Sequence, residues 1–541
     1  MKSFRRLKYS LNKLLAAFLL TSAIIACKKD NPAEVPVTIE VKTPVDNVPA
    51  TGSRDQLTKD SIFLYARQVY LWWDEIPDYK TFNPRKFTSL DDELYAITRF
   101  GINPATSKPY EFDANPDGQD SRFPKYSYIS DATSQGAIGF VPEKQSSVDL
   151  EGNGNDFGLL AAAYGTETEY SIYVQAVYPG SAAAEAGFRR GDRFNKINGR
   201  TIGTNYNTEY AFFYNALFGG STVTIEGKTS ANASFTRTVN KTVFKSSPIY
   251  KDSVYTAGDK KIGYMAYARF SSVENSLPEF TRIFKEFSQK GVTDLILDFR
   301  YNGGGYVSTA EHLINLIAPA SLNGKVMFVE YYNELMRSKK ATILSNQPLL
   351  DASGRSQYQN GKLVTYADVD YSVKGNTNYF KKEGSLNTVK NIVFIVSENT
   401  ASASELVINS LRPYLNVKIV GATSYGKPVG FFPLRVGNYD VYLSMFETQN
   451  SKGEGRYYAG FTPDTGLSTA DNDNPNYDFG DLKEASFSAA YNYLTKGSYF
   501  SQAAATISSK RAEVLGTKDN RVLNNEFKGM IQSPGNLKLN K

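Results

Sequence analysis

Ile392-Val393-Phe394-Ile395-Val396-Ser397-Glu398-Asn399-Thr400-Ala401-Ser402-Ala403-Ser404-Glu405-Leu406 is the stretch on which the fold turns. Its first five residues are an unbroken apolar run, mostly β-branched. Such a run reads as a strand buried on both faces, as in a parallel sheet. Small and polar residues follow, and then a helix running through Leu411. A Ser at the first turn of that helix has its Oγ near backbone amides that lack intrahelical partners. Ser402 is therefore either a cap or a nucleophile whose oxyanion those amides stabilise. The stretch alone leaves both open.

Working outward, the same strand–helix alternation spans residues 246–495. Lys261–Ala268 and Thr293–Phe299 read as strands, Leu277–Lys290 as an amphipathic helix with Phe280, Ile283, Phe284 and Phe287 on one face and Gly291 as its cap, and Val417–Val420 as a further strand. The pattern predicts a covered, mostly parallel sheet. Two more junctions carry possible chemistry. Asp298-Phe299-Arg300-Tyr301-Asn302-Gly303-Gly304-Gly305 precedes a helix starting near Val307. Its glycines suit an anion or oxyanion site or only a tight turn, and they lack the spacing of a nucleotide phosphate loop. In Ser424-Tyr425-Gly426-Lys427-Pro428-Val429-Gly430, a Lys among glycines is ordinarily solvated, but one desolvated beside a Ser can serve as a general base. His312, the only His in the chain, is the rival base. It sits among Leu313, Ile314 and Ile317 and reads as a packed helical residue.

Residues 150–245 alternate strands and turns. Phe157–Ala163 and Ile172–Val177 are strand-like, and the specific run is Pro179-Gly180-Ser181 through Phe188-Arg189-Arg190-Gly191-Asp192 to Asn198-Gly199-Arg200. It predicts a short Ala-rich helix capped at Gly187, then a strand and a tight Asn-Gly turn. This resembles a PDZ domain, a small β-barrel or sandwich with helices. The resemblance implies a loop for a peptide's terminal carboxylate at Phe157, Gly158 and Leu159, with the peptide adding a strand to the sheet edge.

Residues 1–26 carry five basic residues and no acid, and end in the apolar run Leu14–Ala26. That run is too short to span a bilayer and fits a signal peptide. Ile24-Ile25-Ala26-Cys27 resembles a bacterial lipobox, which implies cleavage before Cys27, its lipidation, and a cell-envelope protein held on a membrane. Residues 27–54, with Pro32, Pro36, Pro44 and Pro49, read as a tether, and 55–149 as an N-terminal helical domain with Asp60 capping its first helix and Asp91–Phe100 a second helix. Residues 496–541 read as a C-terminal helix and a polar tail, with 515–541 a candidate disordered stretch. Ala341–Leu386 is turn-rich and a candidate cover for the active site. The 541 residues are 41% hydrophobic and 21% charged, which is globular composition. Taking the five leader residues from 61 basic ones leaves 56 against 55 acidic, which gives no footprint for nucleic acid. One Cys and one His exclude Cys- or His-cluster metal sites, and no cofactor or metal is expected.

The three junction motifs and the domain order together resemble the C-terminal processing, or tail-specific, serine peptidases. The resemblance implies a multidomain α+β chain whose catalytic core is ClpP/crotonase-like. It further implies that Ser402 is the nucleophile and Lys427, 25 residues on, the base, with the backbone amides of Gly304 and Ala403 as oxyanion donors. Gly460-Phe461-Thr462-Pro463-Asp464 and Gly480-Asp481 also fit the family. Protein or peptide substrates with apolar C-termini are the expected partners. One departure stands out: the family's orienting Gln, four residues after the Lys, is Phe431 here. It leaves open an alternative, an inactive surface-anchored peptide-binding protein of the same descent. Glu405, three residues beyond Ser402, reads as mainly structural.

Overall fold

The expected apolar runs lie side by side in the computed structural model, in the order Ile249–Ala257, Lys260–Tyr267, Asp294–Asp298, Asn391–Val396, Asn416–Gly421. The first pair is antiparallel and the rest parallel. One face of this sheet presents Ile296, Val393, Ile395 and Val420 to Phe487, Ala490 and Leu494 of the helix Ala485–Lys496. On the other, Phe287 of the helix Val273–Gln289 lies against Gly263 and Leu295. Phe280, Ile283, Phe284 and Phe287 are all buried, as their spacing predicts. The structure describes residues 42–114, 118–132, 148–351, 354–464, 473, 475–499 and 527–540. The expected signal segment, Cys27 and the expected tether up to residue 41 lie outside them.

Residues 150–245 form an antiparallel sheet in the order Ser234–Asn240, Thr222–Lys228, Arg193–Ile197, Glu169–Val177, Leu159–Thr166. The Ala-rich helix is Ala182–Glu185, with Ser181 Oγ accepting the Ala184 N–H at 3.2 Å. The edge strand Leu159–Thr166 is buried on both faces. Leu159, Ala161 and Ala163 join this domain's own core, whereas Leu160 and, on the neighbouring strand, Ala176 join the core of the parallel sheet.

The first helix, Arg54–Val69, begins earlier than the sequence suggests, because Ser53 and Gln56 form a capping box. Asp60 lies inside the helix, where it accepts from Tyr79 Oη at 2.7 Å and pairs with Arg85 at 2.6 Å. The end of the expected tether is packed rather than loose: Asp46 accepts the Tyr79 N–H at 2.8 Å and pairs with Arg67. A one-turn helix, Tyr79–Phe82, comes next, and the helix expected over Asp91–Phe100 is Leu90–Ile97. Beyond it this region turns to short strands, and Tyr128–Asp131 pairs antiparallel with Tyr439–Tyr442 of the 246–495 block. The polar stretch 515–541 also departs from expectation. Its residues 515–526 lie outside the described ones, but Gly529–Ile531 is a strand paired in parallel with Gly304–Tyr306, with Met530 and Ile531 wholly buried. No helix among the described residues is long and apolar enough to cross a membrane.

Candidate active site

Ser402 stands at the junction the sequence singles out, directly before the helix Ala403–Leu411, with φ at 62°. For a non-glycine residue this left-handed conformation costs about 1–3 kcal/mol, and such strain clusters at functional sites. Its side chain is buried, and its Oγ has no hydrogen-bond partner.

Glu405 joins the serine stretch to the lysine loop. Its Oε2 accepts the Ser402 and Lys427 N–H groups, each at 2.8 Å, and its Oε1 accepts the Gly426 N–H at 2.8 Å and Ser424 Oγ at 2.6 Å. One buried carboxylate thus fixes the serine turn and the lysine loop to each other. Burial pushes its pKa up against the pull of these donors. The expectation of a mainly structural Glu405 is refined: it structures the site itself.

Lys427 is fully buried. Desolvation lowers its pKa to about 7, partly opposed by Glu111 and Glu405 and helped by Lys125. Its Nζ donates to the carbonyls of Lys528 at 3.0 Å and Tyr126 at 3.2 Å, and lies 4.5 Å from the centre of the Phe431 ring. Phe431 therefore meets the lysine through its ring face. Tyr126 also donates its hydroxyl to the Gly426 carbonyl at 2.6 Å, and Glu111 accepts the Tyr126 and Ser127 amides and the Ser127 and Ser444 hydroxyls. Nothing in the local sequence marks Tyr126 or Glu111, since both come from the N-terminal region and reach the site only through tertiary packing.

Both expected oxyanion donors are close by. Ala403 opens the helix, where amides lack intrahelical acceptors. Gly304 has φ at 107°, and a side chain there would meet Ser402 Cβ at 2.9 Å, which places the glycine turn against the serine. The Gly304 N–H is occupied here, donating to Asn302 Oδ1 at 3.0 Å. His312 is half-buried and pairs with Glu383 at 2.9 Å, which raises its pKa through the hydrogen bond. It shares no contact with Ser402 or Lys427.

In the candidate carboxylate loop, Gly158 has φ at 81° and a Cβ would fall 2.0 Å from that of Ser181. Its N–H donates to Asp156 Oδ1 at 2.7 Å and its carbonyl accepts the Tyr178 N–H. Phe157 and Leu159 are buried, and the Phe157 carbonyl accepts the Ala183 N–H at 2.9 Å. Between this domain and the glycine turn lies a buried ionic cluster. Arg190, from the Arg-Gly-Asp run, donates to Tyr301 Oη at 2.7 Å and pairs with Asp473. Arg300 pairs with Asp298 at 2.8 Å and with Asp473 and Glu484 at 3.0 Å. No group of metal-ligating residues occurs among the described ones.

Comparison with known proteins gives two domain matches: peptidase family S41 over residues 261–466 and the PDZ domain over 173–214. The carboxy-terminal processing protease CtpA of Bacillus subtilis is 24% identical over 262 residues, 48% of this chain and 45% of that protein. The chloroplastic C-terminal processing peptidase of Tetradesmus obliquus is 28% identical over 171 residues, 32% of this chain and 27% of that one. The chain thus spans less than half the length of these two relatives. A solved chain from Bacteroides fragilis assigned to the S41 proteases matches 84% of this chain and 99% of its own, with a TM-score of 0.49 and 20% identity.

Proposed function

We propose that this chain, which carries a peptidase family S41 domain over residues 261–466 and a PDZ domain, is a serine endopeptidase that cuts protein substrates near their C-termini. The observation that carries the reading is a strained, buried Ser402 and a buried Lys427 whose pKa lies about 7, both held by Glu405. Above that pH the lysine is neutral and takes the Ser402 Oγ proton as Oγ attacks the scissile carbonyl. The Ala403 amide and the Gly304 amide, once released from Asn302, hold the oxyanion. The lysine then protonates the leaving amine and activates the water that opens the acyl-enzyme.

The further parts of the proposal rest on the sequence. The core is of the ClpP/crotonase-like kind, preceded by an N-terminal helical region. The PDZ domain receives apolar C-termini near Phe157–Leu159. Lipidation of Cys27 anchors the protein to a membrane of the cell envelope, and detergent partitioning of Cys27→Ala against wild type checks that anchor. The central test is mass spectrometry of products from a peptide library. Wild type should release C-terminal fragments, while Ser402→Ala and Lys427→Arg should release none, because a guanidinium stays protonated. Turnover by folded Lys427→Arg, or its loss in folded His312→Ala, overturns the assignment.

A further inference from the structure

We propose that the glycine turn and Phe431 form the two walls of a groove for an extended peptide, and that in the resting chain this groove is filled by the protein's own segment Phe527–Gln532. The inference rests on the peptidase reading above and adds to it the regulation of that site.

The segment is bound as a substrate strand would be, through its main chain on both edges. On one side the Gly529 N–H donates to the Gly303 carbonyl at 3.0 Å, and residues 529–531 run parallel to Gly304–Tyr306. On the other, the Phe431 N–H donates to the Met530 carbonyl at 3.1 Å and the Gln532 N–H to the Phe431 carbonyl at 3.0 Å. The glycines make this approach possible. A Cβ on Gly303 would lie 1.8 Å from the Phe527 carbonyl oxygen, and one on Gly304 2.4 Å from that of Gly529. Bare backbone at the turn is what a groove reading any main chain requires.

The catalytic groups are disengaged while the segment is in place. Lys427 Nζ is spent on the Lys528 carbonyl, Ser402 Oγ has no partner, and the Gly304 amide is turned to Asn302. Ser402 and Lys427 are both 0% exposed, so a substrate reaches them only if something moves. The residues that follow are clamped by the 341–386 region: the Asp370 N–H donates to the Lys538 carbonyl at 2.7 Å, and the Asn540 N–H to that of Asp368 at 2.9 Å. Release of 527–532 as a strand therefore opens the groove and takes away one of the two carbonyls that hold the lysine, leaving that of Tyr126. The ligand class that replaces it is an extended peptide with apolar side chains where Met530 and Ile531 now sit.

The test separates the groove from the chemistry by using Ser402→Ala protein, which cannot turn over. An acetylated, amidated peptide of the sequence Phe-Lys-Gly-Met-Ile-Gln, fluorescently tagged, is titrated into Ser402→Ala alone and into Ser402→Ala carrying Gly529→Pro or Met530→Asp. Gly529→Pro removes the amide that bonds Gly303, and Met530→Asp puts a charge in a sealed apolar site. At least tenfold tighter binding to either double variant, with near-ultraviolet circular dichroism unchanged, is expected. Equal affinity, or no binding to any of them, overturns the proposal. Loss of the folded spectrum in both variants overturns it as well, since a releasable strand cannot be one the fold depends on. A fluorophosphonate probe on the Ser402 forms reports the peptidase reading separately. If Gly529→Pro binds the peptide but is neither labelled nor hydrolytic, the groove stands and the peptidase reading falls.

Discussion

A lysine buried away from solvent is a thermodynamic liability, and Lys427 shows its size. Burial holds its folded-state pKa at about 7, against about 10.4 for the unfolded chain. The buried ammonium therefore costs stability in full below about pH 7, and the cost fades as pH rises toward 10.4, because the unfolded state binds the extra proton in that window. Lys427→Met should accordingly be more stable than wild type by an amount on the order of 4–5 kcal/mol at pH 6, shrinking to about 1 kcal/mol near pH 9.5. Urea denaturation at the two pH values checks it, and a margin that does not change with pH would contradict the buried neutral lysine. Activity should move the opposite way to this cost, rising through about pH 7 as the base becomes neutral.

Between elements, the decisive bond set is the one around Glu405, which ties the helix Ala403–Leu411 to the loop at 424–427. Removing the carboxylate strands three buried amides and a hydroxyl, each worth about 1–3 kcal/mol. Glu405→Ala should lose about 3 kcal/mol or more by chemical denaturation, and Glu405→Gln, which keeps one oxygen, visibly less. Equal losses would mean that the charge, and not the acceptor geometry, is what matters. The strand, helix and glycine turn that carry Ser402 and Gly304 were readable in the sequence, because an apolar run followed by small residues is a local signal. Lys427 needed the resemblance, since a loop lysine looks the same solvated or buried. Tyr126 and Glu111 were unreadable, because nothing local marks a carbonyl or a carboxylate that works from 300 residues away. The burial of Gly529–Ile531 was hidden for a related reason: three residues in a polar stretch carry no periodicity, and their partner strand lies far back in the chain.

Across the whole molecule, the buried cluster of Arg190, Tyr301, Asp473, Arg300, Asp298 and Glu484 joins the PDZ sheet to the glycine turn. Tyr301 donates to Asp473 and accepts from Arg190, so the two domains share one hydrogen-bonded unit. A double-mutant cycle of Arg190→Met and Tyr301→Phe should give a coupling energy above about 0.5 kcal/mol, as residues in one network do. Strict additivity of the two losses would show the domains to be energetically separate. The strand Leu159–Thr166, with Leu160 facing one core and its neighbours the other, bears on heredity as much as on stability. A cassette cut at residues 150 and 245 would take Leu160 and Ala176 out of its neighbour's interior and present a greasy stripe to water. Recombination that swaps such cassettes between relatives would meet this seam as a barrier, so the two parts should be inherited, and engineered, together.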